Sequence, residues 1–284
     1  MENNYWIVDD LLIFKPFFNE ILTDYYVIIN KYKQVIFSNY NNPLIAIETN
    51  NEYREKYNRF NYVKSNFNKE IDLLNNKNLT HLTFGFNFNN KIDLLNNISL
   101  THLTFGNKFN QEIDLLNNLN LTHLIIRSDF NKEINLSNNI NLTHLTFGYD
   151  FKQKIYLSNN IYLSNNINLT HFTFVCCFNK EIDLSNNINL THLTFGDCFN
   201  QEIDLSNNIN LTHLTFGKNY NKAIDLSNNI NLTHFTFENG FDNEIDLSNN
   251  INLTHLTLGD IFFQEIDLSN NINLTHLTFG YYFD

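Results

Sequence analysis

The sequence predicts a mainly-β, right-handed solenoid of ten 21-residue coils with parallel, in-register strands, preceded by a partly helical segment. Three observations carry this expectation. First, all ten histidines lie on one ladder: His81, His102, His123, His144, His171, His192, His213, His234, His255 and His276, spaced by 21 residues except for 27 between His144 and His171. A fixed period of this length marks a chain that grows by stacking, with no single central core. Second, two stretches in each period alternate apolar and polar residues, as half-buried strands do. Third, no window within a period suits a helix, because S-N-N and N-I-N favour turns.

Residues 1–63 precede the ladder and are expected to cap it, since a first coil with nothing before it would expose its core. They hold the only tryptophan, Trp6, and both prolines, Pro16 and Pro43. From Asp10 to Tyr32 the apolar positions fit helical spacing, with Pro16 near the start where its missing N–H is tolerated. Asn51 to Tyr57 reads as a second short helix or a loop, and Phe60 to Val63 as a decayed strand. The repeat proper occupies residues 64–284.

Ile182 to Glu202 serves as the type coil. In L-T-H-L-T-F, Leu193 and Phe195 face inward while His192 and Thr194 face outward. In I-D-L, Ile182 and Leu184 point in and Asp183 points out, so the coil is expected to hold two short strands joined by two turns. Ile188, Leu190 and Phe199 complete a set of seven inward apolar residues. Gly196 and its equivalents end the first strand, but Arg127, Val175 and Glu238 stand in that place in three coils, which argues against a strict need for positive φ. Stacked at about 4.8 Å per strand, ten such coils would span roughly 45–50 Å. Asn186, Asn187, Asn200 and their equivalents then form ladders whose amides bond to neighbouring coils. The long interval carries I-Y-L-S-N-N twice, within 155–166, and these six extra residues are expected to loop out at small cost. The chain ends at Tyr281 to Asp284 soon after the tenth strand, so an open sheet edge and self-association through it are expected there.

Composition narrows the function. The net charge is −12 and there is no basic stripe, which disfavours nucleic acid and anionic membranes. The N-terminus lacks a basic n-region and no apolar run approaches the roughly 18 residues of a membrane span, so an intracellular, cytoplasmic location is expected. Nine N-x-T sequons, Asn78, Asn120 and Asn141 among them, then read as repeat letters and not as glycosylation sites. Cys176, Cys177 and Cys198 do not make a disulfide framework; Cys177 and Cys198 lie 21 residues apart and should stack as free thiols. The wealth of Asn, Ile, Leu, Phe and Tyr resembles that of proteins encoded by AT-rich genomes and bears on source, not chemistry.

With the coil laid out, L-T-H-L-T-F-G-x-x-F-N-Q-E-I resembles the FNIP repeat, a leucine-rich-repeat variant of social amoebae and giant viruses, over roughly residues 64–284. The family's proline is replaced by Glu202 and its equivalents in seven copies, and by Lys91, Lys154 and Ala223 in the others. The resemblance implies a solenoid with a protein-binding face, in host cytoplasm if the source is viral. Viral members often carry an N-terminal F-box that recruits a ubiquitin ligase; residues 1–60 lack its Leu-Pro opening. The readings left open are therefore a plain interaction scaffold, a ligase adaptor acting through a divergent N-terminal segment, and a structural protein assembling end to end.

On a leucine-rich-repeat plan, the ten histidines and the threonines of the Thr194 and Thr215 type line the exposed sheet face. They are the expected partner-binding residues, for a protein partner whose identity the sequence does not give. A linear row of imidazoles does not converge as zinc ligands must, so no metal and no cofactor are expected; titration between pH 5 and 8 is the alternative use of the row. Eight aspartates, Asp72, Asp93, Asp114, Asp183, Asp204, Asp225, Asp246 and Asp267, share a second row, but the glycine-rich calcium-binding repeats do not match it. No enzyme is expected, because catalysis needs unlike groups converging at one place and here each polar residue is copied along a line.

Overall fold

A computed structural model describes residues 4–50, 63–151, 163 and 165–281. The chain divides into two compact units, Met1–Asn139 and Ile140–Asp284. In the first, β1 (Tyr5–Val8) and β2 (Leu11–Phe14) form an antiparallel hairpin. A 3₁₀ turn at Leu22–Tyr25 runs into the short α1 (Tyr26–Ile29), followed by β3 (Gln34–Phe37) and α2 (Pro43–Asn50). The repeats then supply β4 (His81–Thr83), β5 (His102–Phe105) and β6 (His123–Ile126). From β2 to β6 each strand pairs in parallel with the next.

The second unit is regular. Strands β7 (His144–Phe147), β8 (His171–Phe174), β9 (His192–Phe195), β10 (His213–Phe216), β11 (His234–Phe237), β12 (His255–Thr257) and β13 (His276–Thr278) pair in parallel, histidine against histidine. Inward residues stack from coil to coil. Leu184, Leu190, Leu193, Phe195 and Phe199 are each at most 1% exposed. The rings of Phe195 and Phe199 stack at 3.9 Å between centroids, and Phe199 lies 5.9 Å from Tyr220 of the next coil.

Asparagine holds the turns. In the Asn187 position the side chain is buried, and its Nδ2 donates to the carbonyls of Asn166 at 2.9 Å and Leu163 at 3.0 Å in the preceding coil. The pattern recurs at Asn208, Asn229, Asn250 and Asn271, and at Asn97 and Asn118 in the first unit. Elsewhere the Asn200 backbone N–H donates to the Asn179 side-chain oxygen, and Asn221 repeats this on Asn200. The expected amide ladders are present, and they satisfy turn backbone that a helix or sheet would satisfy itself.

The same bonds tie the first strands to the repeats. Asn76 donates to the carbonyls of Ile29 and Tyr32, and Thr80 to that of Lys33, so the segment from α1 to β3 presents the carbonyls that a preceding coil presents elsewhere. Phe14, Phe37 and Phe84 stack in turn at 4.9 and 5.5 Å. Asn42 Oδ1 accepts the Leu44 N–H at 2.9 Å and Pro43 opens α2, an N-cap followed by proline at the first helical position.

Three expectations are corrected. The helix read over Asp10 to Tyr32 is instead a strand, a 3₁₀ turn and one helical turn. Leu11, Leu12, Ile13 and Phe14 are all buried, and a continuous apolar run of four is what a strand covered on both faces looks like. The coil holds one strand, not two: the I-D-L segment forms none, because the Asp183 carboxylate takes the Ser185 N–H at 2.8 Å, a local turn bond that competes with ladder pairing. Ile188 does not join the core; it is 50% exposed, as are Ile167, Ile209 and Ile230. The six-residue duplication at 155–166 and the readings at 51–62 fall largely or wholly outside the described residues.

Candidate interaction face

The alternation of each H-L-T-F strand sends Leu193 and Phe195 into the core and leaves His192 and Thr194 half-buried on the outer face. Parallel register repeats that choice, so His192 sits beside His171 and His213, and Thr194 beside Thr173 and Thr215. The expected residues are thus gathered into two rows within each unit. His81, His102 and His123 form the histidine row of the first; His144, His171, His192, His213, His234, His255 and His276 form that of the second. The threonine row is imperfect: Ile125 replaces Thr beside Thr104, and Thr104 is buried.

Neighbouring imidazoles stack face to face. In the second unit the ring centroids of His171, His192 and His213 are 4.2 Å apart and inclined by 11°. The threonine before each histidine fixes its tautomer. Thr191 Oγ1 donates its single hydrogen to the Thr170 carbonyl at 3.1 Å, yet also lies 2.9 Å from His192 Nδ1. The hydroxyl hydrogen is already used, so the proton in the second bond belongs to Nδ1, which donates to the hydroxyl oxygen. That makes Nε2 the acceptor nitrogen of the ring. The same pair of bonds recurs at Thr101, Thr122, Thr212, Thr233 and Thr254.

Charge on these rings is disfavoured. Burial first, and then the neighbouring histidines, hold His171, His192 and His255 below the ordinary value, and push His213 down to about 4. Burial alone lowers His81; for His144, the more distant His192 adds to it. A stacked row cannot charge one member without raising the cost for the next. At neutral pH these rings are neutral acceptors.

The acidic row serves the backbone. Asp204, Asp225, Asp246 and Asp267 each accept the N–H two residues on at 2.8 Å, and that bond, with a serine hydroxyl, holds their carboxyls below the usual range. Asp197 and Lys218 pair at 3.0 Å on adjacent turns, beside Glu238, whose carboxyl burial raises. Among the described residues no glycine has a positive φ. Gly196 is needed for close approach: a Cβ there would sit 2.1 Å from the Val175 carbonyl oxygen.

Two features escaped the sequence reading. One is the exposed isoleucine row on the turn leading into each strand, legible only as the one apolar letter of N-I-N flanked by amides. The other is Cys176. It has no partner at the 21-residue period, yet its thiol lies between Cys177 at 3.7 Å and Cys198 at 3.9 Å. All three thiols are free. Burial above all pushes the Cys177 thiol up to about 12 and raises that of Cys198.

No helix among the described residues is long and apolar enough to cross a membrane. No protein-family model matches the sequence, and no curated protein is similar to it. Solved structures are. The functional domain of InlJ from Listeria monocytogenes, which includes a cysteine ladder, is 27% identical with a TM-score of 0.60, over 78% of this chain and 48% of that one. CroV588, a circular leucine-rich-repeat protein, is 30% identical with a TM-score of 0.55, over 99% of this chain and 52% of that one. The internalin InlF of Listeria monocytogenes shares the fold at 18% identity, with a TM-score of 0.56 over 76% of this chain and 72% of that one. The chain spans about half the length of the first two. The one-strand coil, its in-register stacking and these likenesses together give the chain a leucine-rich-repeat fold.

Proposed function

We propose that the protein is a non-enzymatic scaffold of the FNIP type whose histidine face binds a protein partner. The carrying observation is the row of half-buried imidazoles held as Nδ1–H tautomers, which makes Nε2 the acceptor nitrogen of each. Such a row accepts hydrogen bonds at a regular spacing and donates none, so it suits a surface rich in donors: arginine, lysine or the N–H edge of an extended segment. The net charge of −12 favours the same basic partner by steering. Leucine-rich-repeat neighbours support an interaction role, and the linear copying of every polar residue argues against an active site. Residues 1–63 act in this reading as the cap, because the carbonyls of Ile29, Tyr32 and Lys33 stand where a preceding coil would place its own.

The test is affinity capture with the intact protein beside a variant carrying His192→Glu, Thr194→Glu, His213→Glu and Thr215→Glu. A partner retained by the first and lost by the second, with unchanged circular dichroism, supports the reading. Equal retention by both would place binding elsewhere and overturn it.

A further inference from the structure

Among the described residues of the regular unit, the three thiols are the one place where metal-ligating side chains converge. Cys176 is 5% exposed, Cys177 and Cys198 are half-buried, and the three sulfurs all lie within 4.8 Å of one another. They come from adjacent coils and are held by backbone: the Cys198 N–H donates to the Cys176 carbonyl at 3.1 Å and the Cys177 N–H to that of Tyr149 at 2.9 Å. A metal bonded to three thiolates at about 2.3 Å in a plane holds them about 4 Å apart. Two edges of the sulfur triangle, 3.7 and 3.9 Å, already have that length. A disulfide, at about 2.04 Å, would require a far larger movement.

We propose that Cys176, Cys177 and Cys198 form a three-coordinate site for one soft monovalent d¹⁰ cation, Cu(I), clipping two coils together. Ligand type selects a thiophilic ion. Ligand number selects among such ions: structural zinc takes four ligands, and no histidine or carboxylate among the described residues joins this group. Asp197, next to Cys198 in sequence, is held by Lys218 at 3.0 Å and so is engaged elsewhere. Coordination forms three Cu–S bonds and releases the three thiol protons to solvent, with no change in oxidation state.

The experiment uses the full, reduced chain under anaerobic conditions, with Cu(I) presented as its bicinchoninate complex and Zn(II) titrated in parallel. The expected result is one Cu(I) withdrawn per chain, a raised melting temperature, and competition weakened by more than about 100-fold in Cys198→Ser, since losing a ligand exceeds the cost of losing an outer-shell partner. A variant with serine at all three positions keeps the histidine rows. Cu(I) retained by that variant, zinc bound in preference to copper, or no withdrawal by the intact chain would each overturn the assignment.

Discussion

Two polar rows run through the regular unit, asparagine inside and histidine outside, and they use their hydrogen bonds in opposite ways. Asn208 is fully buried, and both hydrogens of its amide go to carbonyls of other residues' backbone, at Leu184 and Asn187. His213 is half-buried, and its ring bonds through Nδ1 to the threonine beside it, which makes Nε2 an acceptor. Full burial with every amide hydrogen used makes a polar residue structural; partial burial with one ring nitrogen engaged makes it available for binding. The contrast says which substitutions should cost stability and which should cost recognition.

The largest effect is expected from Asn208→Asp. It exchanges a two-hydrogen donor for a buried carboxylate facing two carbonyls, at a cost of about 3–5 kcal/mol. Asn208→Ala should cost less, about 2–3 kcal/mol, because two hydrogen bonds and some packing are lost. The two carbonyls are not orphaned, since each keeps its turn bond from Asn187 and Leu190 N–H. Denaturant unfolding of the two variants checks the order; equal costs would mean that the row is not held by donation. In the same core, Tyr220 stands where most coils place Phe, with its hydroxyl buried and unpartnered. Tyr220→Phe should therefore raise stability by about 1 kcal/mol.

The histidine row is expected to speak through pH. Its lowered members bind fewer protons folded than unfolded, so stability falls with falling pH. The contribution is complete above 6.5, the ordinary histidine value, and is lost as pH falls toward the folded value of His213, about 4. The aspartates with lowered values act in a separate window: their contribution holds above 3.8 and is lost only below it. A melting-temperature profile from pH 8 to 4 should decline across the upper window, and His213→Gln should flatten that decline. A flat profile in the intact protein would show that stacking does not restrain protonation.

Much of this contrast was legible in the sequence, and the reasons for the rest are physical. The 21-residue period and the L-T-H-L-T-F alternation located the strands and the outward histidines, because periodicity reports directly on which way a side chain faces. The period also marked Asn187 as a ladder residue, though not that it is buried more fully than the isoleucine beside it. Alternation misled at I-D-L, where the Asp183 carboxylate occupies the backbone donor a second strand would need. It misled again over Asp10 to Tyr32, because a buried strand and a helix face can both read as short apolar runs. The place of Cys176 between the other two thiols was illegible for a different reason: it breaks the period, and its neighbours are set by the turn.

The smallest effect belongs to the isoleucine row, which tests whether exposure alone separates the two kinds of ladder. Ile209 and Ile230 are each 50% exposed, while Asn210 beside Ile209 donates to the Ile188 carbonyl at 2.9 Å. Ile209→Ser leaves the backbone bonds in place and removes side chain that is half in water, so its cost should stay within about 0.5 kcal/mol. The neighbouring Asn210→Ala loses one exposed hydrogen bond and should cost about as little. If Ile209→Ser instead costs as much as Asn208→Ala, the stacked isoleucines contribute a second apolar seam along the turns. The division between inward and outward rows would then fall at the turn rather than at the strand.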